Sequence, residues 1–218
     1  IGLGAPWEKG FEWYAPWIKD VRHRTDLNYM VDIMSGEVAV GHSYVSGGDM
    51  PDVDRVPVGL LGADFIVENG FYRIEKIYSG ESWNPTIVAP LSIPGLAVSE
   101  GEYITAINGI ELDASINIYA LCEQTAGRTV RLTVNSQPQK GGKEVNVTPV
   151  GNEYQLRTAD WIEGNRRKVT EASGGKLAYV YLPNTAGGGF NNFNRYYISQ
   201  QHKKGVILDE RNNGVGSA

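Results

Sequence analysis

Near its carboxyl end the chain runs Gly205-Val-Ile-Leu-Asp-Glu-Arg-Asn-Asn-Gly-Val-Gly216, an apolar strand that closes on Asp209, Arg211 and Asn213 and opens into glycines at 214 and 216. Active sites of α/β sheets are often built this way, because backbone N–H groups in a glycine loop can point at a developing oxyanion or a phosphate. Far upstream stands Gly41-His42-Ser43-Tyr44. The two together point to a hydrolase with its base near the start and its oxyanion loop at the end. Taken alone, a single histidine in a loop is ordinarily structural or surface-facing.

Other chemical groups read more plainly. Asp209 and Arg211 suit a charge-assisted hydrogen bond that ties down the loop better than an acid–base pair. Ser217 follows the glycines but has nothing behind it to fix its geometry, which a nucleophile needs. His23 and His202 fall in polar stretches and read as solvent-facing. Cys122, beside Leu121, reads as a small core residue. One cysteine excludes an internal disulfide and a cysteine metal site, and three scattered histidines make no zinc-type cluster. No metal or cofactor is expected.

Twenty basic and 25 acidic residues give a net charge of −5, too mild for a nucleic-acid partner. Arg166-Arg167-Lys168 then reads as a helix-surface run. No apolar run approaches membrane-spanning length, so no membrane partner is expected. The 41% apolar content over 218 residues supports a real core in one large domain or a few small ones. The start at Ile1, without methionine, reads as a chain processed, trimmed or cut from something larger.

The elements that must hold these residues form three blocks, and the fold class is multidomain α+β. Residues 1–50 read as a small helical subdomain carrying His42. Pro16 suits a first helical turn, Thr25 and Asp26 are cap-type residues, and Leu27, Met30, Val31 and Met34 form one apolar stripe ended by Gly36 as a left-handed cap. Residues 46–57 are a linker by composition. Residues 57–150 read as a β module of five to six strands. Asn108-Gly109 is a strong turn signal there, Val130, Leu132 and Val134 alternate, and Ile116–Gln124 is a short helix. Residues 151–218 read as helix–strand–helix–strand: a helix over 158–172 with Trp161, Ile162 and Val169 inward, a strand at 177–182, a helical stripe of Phe190, Phe193, Tyr197 and Ile198, and a fully apolar, buried strand at 206–208. That is a βαβ unit with parallel strands, whose ligands sit past the carboxyl ends of the strands.

Four segments resemble the tricorn-type serine peptidases of the C-terminal-processing peptidase group. They are Ser35-Gly-Glu-Val-Ala-Val-Gly-His-Ser-Tyr44; Gly59-Leu-Leu-Gly-Ala-Asp64 with Tyr72-Arg-Ile-Glu-Lys-Ile-Tyr78; Glu100-Gly-Glu-Tyr-Ile-Thr-Ala-Ile-Asn-Gly109; and Gly205–Arg211 with its glycine loop. Asn165-Arg-Arg-Lys-Val169 and Tyr179-Val-Tyr-Leu-Pro183 add to the likeness. Each motif is weak to moderate; the ordered set, across residues 11–218, is specific. The resemblance implies a helical subdomain, a PDZ-like module and the first, truncated part of a catalytic α/β domain. It also implies peptide hydrolysis by a serine, a histidine base and a glutamate. The base maps onto His42, since a neutral imidazole is the usual acceptor of a serine proton. The oxyanion hole maps onto Gly214 and Val215, where the family expects glycine in place of Val215. Gly41 stands where the resemblance implies a helper serine, so that helper is absent, or Ser43 or another residue substitutes. The nucleophile and glutamate of the family have no counterpart here, so this chain alone is expected to lack peptidase activity.

Gly59-Leu60-Leu61-Gly62 resembles the carboxylate-binding loop of PDZ modules, which makes Leu60, Leu61 and Gly62 the peptide-binding candidates. The equal alternative is a glycine-bounded strand start in a module that only braces the catalytic domain. The competing function is thus a non-catalytic module that binds peptide C-termini. It predicts that C-terminal amidation weakens binding. The expected partners are a peptide substrate and, in the full-length parent, further copies as a homo-oligomer. The expected location is cytoplasmic, with a periplasmic or exported one as the alternative.

Overall fold

The structure, a computed structural model, describes residues 7–38, 43–80, 84 and 87–214. It divides into two compact units, residues 1–55 and 56–218.

In the first unit α1 (Trp7–Tyr14) runs into a 3-10 turn, Ala15–Asp20, with Pro16 in its first turn, where a missing N–H costs nothing. α2 (Arg24–Gly36) begins earlier than its cap-type residues imply. His23 is the N-cap, and the Asp26 carboxylate reaches back to accept the N–H groups of Arg22 at 2.9 Å and His23 at 3.4 Å. This covers donors that the helix start leaves unpaired. Of the predicted stripe only Met30 is buried; Leu27, Val31 and Met34 are half-buried. Gly36 is not the left-handed cap expected. It stays in the helix, and Glu37 (φ −67°) closes it, with its N–H on the Met34 carbonyl and its carboxylate accepting the Tyr14 hydroxyl at 2.9 Å. That tie to α1 fixes the helix end without a positive φ.

The second unit opens with an antiparallel sheet. Its strands are β1 (Ala63–Glu68), β2 (Phe71–Ile77), β3 (Tyr103–Ile107), β4 (Ile110–Glu111), β5 (Val130–Asn135) and β6 (Lys143–Val147). The order is β1-β2-β3-β5-β6, with β4 paired to β3, so β1 is an outer strand. Asn108 (φ 51°) and Gly109 (φ 82°) make the tight β3–β4 turn, both in the left-handed region that this dipeptide tolerates. Val130, Leu132 and Val134 point inward while Arg131 faces out. They meet Ile74, Ile104, Ile107, Leu112 and Ile118 in one core, where burying each large aliphatic side chain contributes roughly 1.5–3 kcal/mol.

The helix expected over Ile116–Gln124 is a correction. Only Ala120–Cys122 forms a 3-10 turn. Asp113 accepts the Ser115 N–H at 2.8 Å, and Asn117 accepts the Tyr119 N–H at 3.0 Å. Such local side-chain bonds compete with helix formation. Ile118 and Cys122 are still buried, so the segment packs as a cover on the sheet.

Beyond the sheet, α3 (Tyr154–Ala172) starts a full turn before residue 158. β7 (Leu177–Tyr181), α4 (Gly187–Ile198) and β8 (Gly205–Asp209) follow, and β7 pairs with β8 in parallel, Leu177 opposite Gly205. β7 is buried from Ala178 to Tyr181. β8 differs from expectation: Val206, Ile207 and Leu208 are 39%, 40% and 47% exposed, and among the described residues β7 is the only strand paired with it. On α4 the predicted stripe is split. Phe193 stacks on Tyr197 with ring centroids 4.8 Å apart, while Phe190 and Ile198 face solvent.

Candidate functional site

Two regions hold the candidate residues of the second unit. The first lies past the carboxyl ends of β7 and β8. Asn184, after β7, and Gly214, after β8, form a parallel bridge, so the two strand-end loops lie side by side. The Asn184 side chain accepts the N–H groups of Ala186 at 3.1 Å and Gly189 at 2.8 Å, fastening its loop to the start of α4. Asn213 donates to the Leu182 carbonyl at 3.1 Å.

Below the loop sits a buried anchor. The Asp209 carboxylate accepts the Arg211 N–H at 3.0 Å, its guanidinium Nε at 2.9 Å and the Tyr179 hydroxyl at 2.6 Å. The Arg211 bonds hold the Asp209 carboxyl well below the usual carboxylate range, against burial, which acts the other way. Burial and the Asp209 bond push the Tyr179 hydroxyl up to about 12. Arg211 also lies 4.9 Å from the Trp161 ring centroid. Bonded to one another in this way, these groups position the loop.

The oxyanion candidates fare unequally. The Gly214 N–H donates to the Pro183 carbonyl at 2.8 Å, which leaves it engaged rather than pointing at a substrate. Val215 and His42 lie outside the described residues. His23 and His202 are exposed, and Cys122 is buried, its thiol pushed up to about 11 by that burial.

The second region is the loop that leads into β1. Leu60 pairs with Val150 through both backbone groups, N–H to carbonyl at 2.7 Å and the reverse at 2.9 Å. Gly62 (φ +73°) stands so close to Ala89 that a Cβ there would fall 2.6 Å from the Ala89 Cβ. Its N–H donates to Glu153 Oε1 at 2.6 Å. Glu153 is the N-cap of α3, and its side chain is 5% exposed. Arg157, one turn on, holds Glu153 Oε2 through Nε at 2.8 Å, and through Nη1 it reaches Asp64 Oδ1 and the Tyr78 hydroxyl, both at 2.7 Å. Tyr78 donates in turn to Asp64 Oδ2 at 2.7 Å. Burial raises the Asp64 carboxyl, but the Tyr78 and Arg157 bonds outweigh it and leave it lowered. Burial and Asp64 push Tyr78 up to about 12. Sequence reasoning missed this cluster. Its available signal was Glu153 and Arg157 four apart on one helix face.

With the loop, the outer strand and the covering segment in place, residues 59–152 match the family model described as the Tricorn protease PDZ domain. Residues 59–152 form a tricorn-type PDZ module. The likeness extends to the rest of the chain. The Tricorn protease of Thermoplasma acidophilum is 30% identical over 96% of this chain, and Tricorn protease homolog 1 of Streptomyces coelicolor is 32% identical over 98%. A crystal structure of the tricorn protease superposes with a TM-score of 0.73, at 30% identity over 96% of this chain and 20% of that one. The curated relatives are much longer: the chain spans between 18% and 24% of their length. The tricorn-type resemblance thus holds across the helical unit, the PDZ module and the β7–β8 pair, and the mixed α+β architecture agrees with it. No described helix is long and apolar enough to cross a membrane.

Proposed function

We propose that this chain serves the hydrolysis of peptides, as part of a tricorn-type peptidase of the serine class. His42 is the general base. It takes the proton of a serine hydroxyl as the oxygen–carbonyl bond forms, and returns it to the leaving amine as the peptide bond breaks. The loop after β8 stabilises the oxyanion, with Val215 and Gly214 as N–H donors; Gly214 contributes once its bond to Pro183 opens. The observation that carries this reading is the side-by-side placement of the Asn184 and Gly214 loops at one edge of a parallel pair, over the fixed Asp209–Arg211 anchor. Ligands of such sheets bind at that edge.

The test is His42→Ala in the protein that carries this chain, followed with a fluorogenic peptide and a fluorophosphonate probe. The expected loss of kcat/KM is about 10²–10⁴-fold. A fall of only a few fold removes His42 from the mechanism. We place the protein in the cytoplasm, with a periplasmic or exported location as the alternative that cell fractionation separates, and assign the full-length protein a homo-oligomeric state, checked by light scattering.

A second reading concerns the PDZ module alone: it docks peptides by strand addition along β1. What supports it is the family match together with the position of β1 at the outside of the sheet, directly after the glycine loop.

A further inference from the structure

In the candidate carboxylate loop the Gly62 amide is already bound to a carboxylate of the chain itself. A loop that captures a peptide C-terminus offers backbone N–H groups, often with a nearby cation, to two carboxylate oxygens. Here the Gly62 N–H and the Arg157 guanidinium make such a pair, and both are bound to one carboxylate, that of Glu153, at 2.6 and 2.8 Å. Glu153 is buried and sits at the start of α3, outside the sheet itself. Arg157 carries a second carboxylate, Asp64, on Nη1. A peptide carboxylate arriving here would have to displace a buried, doubly bonded side chain or lie against two like charges. Leu60 is closed as well, since both its backbone groups are spent on Val150.

We propose that Glu153 is the specificity-determining residue of the PDZ module: it occupies the carboxylate seat in cis, so the module takes no free peptide C-terminus and accepts peptides by main-chain pairing along β1, whatever their terminal group. This rests on the reading that β1 docks peptides, and it replaces the expectation that amidation weakens binding. The ligand class is therefore internal or blocked peptide segments.

The experiment uses the full chain, labelled with 15N, and two fluorescent heptapeptides of one sequence ending in valine, one a free acid and one amidated. For the native chain the two affinities agree within about twofold, and the Gly62 amide signal stays in place with either peptide and with excess sodium acetate. In Glu153→Ala the acid binds about tenfold or more tighter than the amide, and acetate shifts the Gly62 signal. A tenfold acid preference in the native chain, or a Gly62 shift with acid or acetate there, overturns the proposal. So does a folded Glu153→Ala chain with no acid preference and no acetate response. If the native chain binds neither peptide, the docking reading falls, and the acetate response of Glu153→Ala decides the seat by itself. Should Glu153→Ala not fold, the native Gly62 signal in acetate decides it.

Discussion

Three glycines allow the close approach at the PDZ loop to be weighed by substitution. Gly62→Ala adds a methyl at φ +73° and 2.6 Å from the Ala89 Cβ, 2.9 Å from its Cα. Gly70→Ala adds one at φ +81° with nothing within 4 Å, so it isolates backbone strain. Gly59→Ala has no positive φ but places its Cβ 2.1 Å from Thr125 Oγ1 and 2.7 Å from the Pro149 Cβ, so it isolates crowding. An L-residue in the left-handed region costs roughly 1–2 kcal/mol, and overpacking roughly 1–3 kcal/mol. Each change also stiffens the unfolded chain and recovers about 0.4–1 kcal/mol. The net expectation is about 1 kcal/mol for Gly70→Ala, about 1–2 for Gly59→Ala and about 2–4 for Gly62→Ala. For a domain of this size, thermal melting of Gly62→Ala then falls by roughly 5–15 °C, well beyond the other two. Calorimetry on the three variants reads this directly. A Gly62→Ala melt no lower than that of Gly70→Ala would refute the close approach to Ala89, and with it the fixed placement of the Gly62 N–H against Glu153.

Two further outcomes follow from the buried groups. Asp209 has a lowered folded pKa, so its stabilisation is full above the ordinary aspartate value of about 3.9 and is lost as pH falls through the folded value. Acid unfolding followed by circular dichroism should therefore begin at higher pH in Arg211→Met than in the native chain; coincident curves would count against the anchor. Cys122, with its thiol pushed up to about 11 and no exposure to speak of, should react with Ellman's reagent only after denaturation, and reaction in the native state would mean that the cover over the sheet opens readily.

Where sequence and structure agree, a local signal and the tertiary environment point the same way. Asn108-Gly109 makes its turn because both residues tolerate positive φ, and β5 alternates because one face meets the core. The same is true of β7, whose apolar run is covered on both sides. Misses come where distant partners decide. Periodicity reads Ile116–Gln124 as a helix, yet Asp113 and Asn117 turn their side chains onto the backbone and stop it. Val206-Ile207-Leu208 is apolar enough for a core strand, but burial depends on a second neighbour that no local pattern announces. Glu153 falls outside the helix expected over 158–172, and its role is not announced there. Its partner, the Gly62 N–H, is 91 residues away, and no spacing rule spans that distance. For the catalytic candidates, Gly214 is found at the expected strand edge with its N–H engaged, while His42 and Val215 lie outside the described residues.

The uncovered face of β8 also governs how this polypeptide behaves in a tube. A short apolar strand whose outer backbone edge has no strand partner among the described residues is a template for pairing with the same strand of another molecule. Lys203 and Lys204 stand immediately before it, the position in which charged gatekeepers slow such stacking. Their repulsion is electrostatic and weakens as ions screen it, with a Debye length of about 10 Å at 0.1 M salt and about 3 Å at 1 M. Salting-out anions strengthen the apolar attraction at the same time. Sulfate-rich buffers are therefore expected to favour aggregation through β8 and dilute chloride to oppose it, which light scattering of the chain in the two buffers checks.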